Sequence, residues 1–239
     1  MNRIIESQKS VIVATDVSTA KDLAGLAKAV QGVDGIGGFK LGLAQGLDGL
    51  RQSIRLVRNN YGSQEIPIIY DHQKAGNDIP VMGEKFAGKL KSAGVTAAIL
   101  FPFTGPQTQE EWTKACLGAE LQVLTGGVMT HPKFLTSEGG YIPDGVPERI
   151  YHLACDLGVS HFVVPGNKVE WVKKIRSLLM ERLGKGNFVL YAPGFITQKG
   201  DISECGEEAG DEWHAIVGSG IYGAENIHDA AVDITKQVV

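Results

Sequence analysis

Residues 11–20 read VIVATDVSTA. An apolar run of β-favouring residues stops at Asp16 and passes into a polar segment. It lacks the GxGxxG fingerprint that usually opens a doubly wound nucleotide-binding sheet. Working outward, similar runs recur at 36–42 (IGGFKLG), 66–71 (IPIIYD), 96–101 (TAAILF), 121–125 (LQVLT), 161–165 (HFVVP), 187–192 (NFVLYA) and 214–218 (HAIVG). Near-continuous Val, Ile, Leu and Ala is what strands covered on both faces require. Between the runs lie helical spacings. Leu23, Leu26, Ala27 and Val30 form one stripe, and Val172, Ile175, Leu178 and Leu179 another, within segments 19–31 and 168–183. Further helices are expected near 46–59, 80–93, 107–118, 146–158 and 225–237, whereas Gly- and Glu-rich 198–213 reads as a loop with at most a short helix. Strand-like runs alternating with helices eight times over 239 residues is the arithmetic of a single-domain (β/α)8 TIM barrel spanning 1–239. The longest connection, 126–146, is rich in Gly, Pro, Thr and Ser, and loops of that length in compact domains tend to be functional or disordered.

Composition narrows the function classes. The chain is 43% hydrophobic and 21% charged, with a formal net charge of −4, so no basic excess points to nucleic acid. Glycine stands at 31 of 239, about twice the usual share, which implies many tight turns. Cys116, Cys155 and Cys205 are scattered singly, against a disulfide framework or zinc knuckle, and a reducing cytoplasmic location fits. No run approaches the ~18 apolar residues that span a bilayer, and the first ten residues lack the apolar core of a signal peptide.

In such a barrel the C-terminal strand ends face the active site, so the polar residues that close each strand are the candidates. The first run ends in Asp16. The second carries Lys40 between apolar neighbours, either reaching solvent or paired with acids on adjacent strands, Asp16 and Asp71. The third runs through Asp71-His72-Gln73-Lys74 to Asp78-Ile79-Pro80. With Lys40 nearby, this alternation of acid, lysine and acid gives a lattice of two cations and two anions in which each charge keeps its partner ionised, and a lysine so held can protonate a carbanion. Asp78 also suits the N-cap of a helix starting near Pro80, and both roles can coexist. His72 and His131 lack partners at metal-ligand spacing and read as hydrogen-bonded structural histidines; no metal site is expected. The turns Pro193-Gly194 and Gly218-Ser219-Gly220 close the last two strands, where barrels of this kind often seat a phosphate on backbone N–H groups.

Taken in strand order from Asp16 to Tyr222, these residues resemble the orotidine 5′-phosphate decarboxylase family over nearly the whole chain. The resemblance implies a homodimeric barrel converting orotidine 5′-phosphate to uridine 5′-phosphate without metal or cofactor. It implies that Asp16 holds the ribose. Lys40, Asp71, Lys74 and Asp78 would form the catalytic set, with Lys74 protonating C6 of the pyrimidine. Asp78 and Ile79 would reach the partner's site. Thr130, where the family usually has Ser before His-Pro, would bond the pyrimidine. Pro193 and Gly194 open the closing loop, in which Gln198 would bridge phosphate and base. Gly218, Ser219 and Gly220 would meet the phosphate.

The chain departs from the family pattern in three places. Asp-x-Lys-x-x-Asp is lengthened to Asp71-x-x-Lys74-x-x-x-Asp78, which requires the strand to end or bulge at His72-Gln73, since residues three apart on a strand point oppositely. Met82 stands where Ile-Pro-x-Thr carries Thr, and Ser219 where the family places the phosphate-clamping Arg. Two other readings accompany this one. The first is a Mg²⁺-dependent sugar-phosphate decarboxylase or aldolase of the same suprafamily, which shares the acid–lysine–acid theme. The second is a non-catalytic nucleotide-binding barrel, the reading that Met82 and Ser219 keep open.

Overall fold

The computed structural model describes residues 2–72, 76–195 and 200–238. Eight parallel strands close into a barrel in sequence order: β1 (Lys9–Ala14), β2 (Ile36–Leu41), β3 (Ile68–Asp71), β4 (Ala97–Leu100), β5 (Gln122–Gly126), β6 (His161–Val163), β7 (Val189–Pro193) and β8 (Trp213–Val217). Helices α1 (Ala20–Ala29), α2 (Leu43–Tyr61, interrupted at Gly49), α3 (Met82–Ala93), α4 (Pro106–Gly118), α5 (Val146–Asp156), α6 (Val169–Leu183) and α7 (Ile202–Ala209) alternate with the strands. A four-residue α8 (Ser219–Tyr222) precedes the last helix, α9 (Ile227–Val238). No helix among the described residues is long and apolar enough to cross a membrane.

Strand alternation divides the core in two. Val11, Val13, Phe39, Leu41, Ile68 and Tyr70 point outward and pack with the helices, in a layer that includes Leu23, Leu26, Val172, Ile175 and Leu179. Ile12, Ala14, Ile69, Ala97, Ile99, Leu124, Val163 and Ile216 point inward and fill the barrel. Both faces are covered, which is why the strands are continuous apolar runs.

The acidic segment after β7 holds a short helix, as its sequence allows. Asp201 caps α7, its carboxylate accepting from Glu204 N at 2.9 Å. Ile202, Cys205 and Ala209 bury one face. Gly206 is required there because a Cβ would come within 2.9 Å of the Trp213 ring. The long connection after β5 is also structured. It holds a 3-10 turn at Thr136–Glu138 and a Leu135–Ile142 bridge, and Asp144 accepts from the Thr136 hydroxyl at 2.6 Å.

Candidate active site

Register explains how the charged residues meet. Lys40 pairs across with Ala14 on β1 and with Ile69 on β3. Asp16 and Asp71 each lie two positions further up those flanking chains, so they share the inward parity of Lys40 one layer nearer the mouth. The Lys40 ammonium stands 3.1 Å from Asp71 Oδ2 and 3.7 Å from Asp16 Oδ2. Lys40 is only 8% exposed. Burial alone would lower its pKa, but the two carboxylates, Asp71 foremost, outweigh that, and the net shift is upward. Lys40 is therefore a fixed cation, charged at any physiological pH.

Above this pair opens a cavity of about 370 Å³. Of the residues proposed from sequence, Asp16, Lys40, Asp71, Thr130, Pro193, Gly194, Gly218 and Ser219 line it. Gly220 lies one residue further along α8 and is not in the lining. Lys74 and Gln198 fall outside the described residues. β3 does end at Asp71, the break that the lengthened motif requires.

Asp78 and Ile79 stand away from their own chain's cavity, both exposed. Asp78 does not cap a helix: α3 starts at Met82 behind Val81, and the Asp78 carboxylate accepts instead from Ile79 N at 2.7 Å. Their segment is anchored on the next unit. Thr108 Oγ1 donates to Asp78 O at 3.1 Å, Trp112 Nε1 to Ile79 O at 3.1 Å, and Phe103 N to Asn77 Oδ1 at 2.8 Å. His72 is held by the Tyr70 hydroxyl, 2.9 Å from its Nδ1. Among the described residues no group of three or more His, Cys, Asp or Glu is placed to hold a metal ion.

The cavity also has walls that the strand-end reading passed over. Ile99, Phe101, Met129, Val163 and Ile216 give it an apolar side, and Tyr222 completes the rim beside Ser219. Strand parity could have found Ile99, Val163 and Ile216. Tyr222 carried no such signal, because it depends on α8, a helix too short to show a period. The result is a cavity with one charged wall, one apolar wall and a glycine-rich end, suited to a flat, partly apolar ring bearing an anionic tail.

No family model matches the chain. Similar proteins do exist. An orotidine 5′-phosphate decarboxylase of Methanosarcina mazei is 29% identical over 236 residues, covering 98% of this chain and 97% of the relative. Those of Pyrococcus abyssi and Methanosphaera stadtmanae are each 31% identical, over 77% and 73% of this chain and 78% and 74% of their own lengths. Among solved structures, the orotidine 5′-phosphate decarboxylase of Pyrococcus horikoshii superposes with a TM-score of 0.75 at 25% identity, covering 95% of this chain and 98% of that one. The Methanocaldococcus jannaschii enzyme complexed with the inhibitor BMP has a TM-score of 0.81 over 96% of this chain and 98% of its own, and at 19% identity it speaks for the fold. Relatives sharing this much sequence over this much of their length, on the same closed barrel, make the chain a member of the orotidine 5′-phosphate decarboxylase family.

Proposed function

We propose that the chain is a carboxy-lyase that converts orotidine 5′-phosphate to uridine 5′-phosphate in pyrimidine biosynthesis, with Lys74 as the proton donor and no metal or cofactor. The observation that carries this reading is the buried Lys40 ammonium, paired at 3.1 Å with Asp71 at the floor of a cavity with an apolar wall. A pyrimidine seated on that wall, with its carboxylate beside Asp71, brings two like charges together. At about 4 Å and an effective dielectric near 20 they repel by about 4 kcal/mol. Cleavage of the bond from C6 to the carboxylate releases carbon dioxide and leaves the electron pair on C6. Lys40 is placed to stabilise that growing charge without reorganising. Lys74, whose role rests on the Asp71-x-x-Lys74-x-x-x-Asp78 pattern, delivers the proton to C6.

Asp16 serves the ribose and Thr130 the pyrimidine. Gly194, Gly218, Ser219 and Gly220 offer backbone N–H groups to the phosphate, and Gln198 spans phosphate and base. Phosphate binding is remote from C6, so its energy can drive closure of the 193–203 loop and offset the strained placement of the carboxylate. Phe195 pairs with Gly200, and Gly200 N donates to Gly194 O at 3.2 Å, which pins the base of that loop.

The active form in this reading is a homodimer in which Asp78 and Ile79 complete the partner's site. Leu43, Leu47, Ile79 and Val81 supply the apolar surface for it, being 52%, 77%, 60% and 76% exposed on neighbouring elements.

The test is ultraviolet detection of orotidine 5′-phosphate loss, with and without EDTA, alongside Lys74→Ala. Expected are chelator-insensitive turnover in the unmodified chain and none in the variant, which still binds uridine 5′-phosphate. Turnover of Lys74→Ala within about tenfold of the parent would remove Lys74 from the chemistry, since a positioned proton donor contributes roughly a hundredfold or more. Loss of activity on chelation would point to the sugar-phosphate lyases, and nucleotide binding without turnover to a binding protein.

A further inference from the structure

The connection between β5 and α5 carries Thr130 to the cavity and then runs on to residue 145. Its internal ties, the Leu135–Ile142 bridge and the Asp144 contacts to Thr136 and Ser137, make it compact but do not fix it to the barrel. Two polar contacts reach across to the following loop. Glu138 Oε1 lies 2.7 Å from Lys168 Nζ, while Glu138 Oε2 accepts from Phe134 N at 3.1 Å. Lys168 is the N-cap of α6, and its neighbour Asn167 donates from Nδ2 to Thr130 O at 3.0 Å. Neither Glu138 nor Lys168 lines the cavity.

The consequences run inward from this pair. Phe134, fixed through its amide, packs on Phe103 (ring centroids 5.2 Å apart), and Phe103 on the cavity-lining Phe101 (5.8 Å). Gly194, at φ 109°, rests against the same assembly: a Cβ there would lie 3.0 Å from both Asn167 Oδ1 and Thr130 Cγ2. The base of the closing loop and the pyrimidine-facing loop thus meet at Asn167, and the ion pair braces that meeting point from behind. Its side chains are 17% and 29% exposed, enough shelter to hold one geometry. The hydrogen bond from Lys168, foremost among its surroundings, holds the Glu138 carboxyl below its ordinary range.

We propose that Glu138 and Lys168 are positioning residues for decarboxylation, clamping the 127–145 loop to the start of α6 so that Thr130 and Phe101 hold the pyrimidine in line with Lys40. The proposal rests on the decarboxylase reading above. A partly exposed pair contributes little to global stability, so its removal should register in the site rather than in the fold.

The experiment compares Glu138→Gln, which keeps the acceptor for Phe134 N, with Lys168→Met, which keeps the aliphatic stem. Their double variant and Lys168→Arg complete the set. For each, kcat and KM on orotidine 5′-phosphate, the melting temperature, and hydrogen exchange of amides 130–142 are measured. Both single variants should lose about tenfold in kcat/KM, with melting shifted by no more than about 3 °C. The double variant should be no worse than either single, and Lys168→Arg should stay within about twofold of the parent. Exchange across 130–142 should quicken in Lys168→Met, although that substitution lies on the other loop. If Lys168 instead attracted phosphate, Lys168→Met alone would raise KM while Glu138→Gln would not, and that pattern overturns the proposal. So do additive effects or unchanged exchange. Absence of turnover in the unmodified chain would refute the decarboxylase reading itself, and the exchange comparison would then decide the clamp alone.

Discussion

Lys40 shows how one residue determines what a strand is for. It is a charge at an inward position of a strand whose outward neighbours, Phe39 and Leu41, are fully buried. A lone ammonium there would be expelled or neutralised, whereas two carboxylates one layer nearer the mouth keep it charged. The pairing was legible from sequence, because a mid-strand lysine needs partners and Asp16 and Asp71 close the adjacent strands; the height at which they meet came from the register. Ser219 is the opposite case, a residue legible only as a departure. It lines the cavity at the start of α8, where the family places an arginine. A guanidinium on a phosphate makes charge-assisted hydrogen bonds worth roughly 1.5–3 kcal/mol, or about tenfold to a hundredfold in affinity. Ser219→Arg should therefore lower KM for orotidine 5′-phosphate by that factor and make it more sensitive to salt. A KM within about twofold of the parent would mean that the dianion is already held by other groups.

At the level of elements, the strands were readable because burial on both faces leaves only apolar residues, whereas α7 was legible only as a short helix without bounds and α8 not at all. In α7 the apolar face Ile202, Cys205 and Ala209 is interleaved with acids and with Gly206, whose reason lies in Trp213, a distant part of the chain. Helix α8, with four residues, has no period to read, and it hid Tyr222 from the site. The β3–α3 segment poses the clearest element-scale question. Hydrogen bonds to Thr108, Trp112 and Phe103 anchor its 77–79 stretch, while Ile79 and Val81 are exposed, as are Leu43 and Leu47 on the first turns of α2. Large apolar side chains exposed on an anchored segment fit the second subunit of the proposed homodimer better than a mobile tip. On the proposed homodimer, Leu47→Glu should halve the molar mass in sedimentation equilibrium and abolish turnover, because each site would then lack the Asp78 and Ile79 of the other subunit. A parent that sediments at 25.6 kDa at assay concentrations would remove the dimer from the mechanism.

Across the whole molecule the barrel has two unlike ends. The mouth keeps its charges and pairs them; the opposite end buries polar groups that must stay neutral. There Ser10 Oγ and His214 Nδ1 share a hydrogen bond at 2.7 Å, and Tyr191 lies between the two other rings, edge-on to His161 and tilted against His214. His161 Nε2 reaches Asn2 O at 2.9 Å, where the N-terminal segment, with Ile4 and Ile5, closes the barrel. Burial foremost pushes His161 down to about 4 and His214 down to about 3, with His161 and then Arg3 adding to the effect on His214. Both folded values lie below the unfolded value near 6.5, so the unfolded chain binds more protons and stability is lost as pH falls through that value. At pH 5 neither folded histidine is yet charged, and each costs about 2 kcal/mol relative to pH 8, at 1.36 kcal/mol per unit over about 1.5 units. Together that is about 4 kcal/mol, or roughly 8–16 °C in melting temperature for a chain of this length. Carboxylates titrate mostly below this window, so the slope between pH 7 and pH 5 belongs largely to histidines. His214→Gln should remove about half of it. A melting temperature that stays level from pH 7.5 to 5 would mean that the lower end of the barrel admits water and charge, and that its closure by the N-terminal segment is looser than this packing implies.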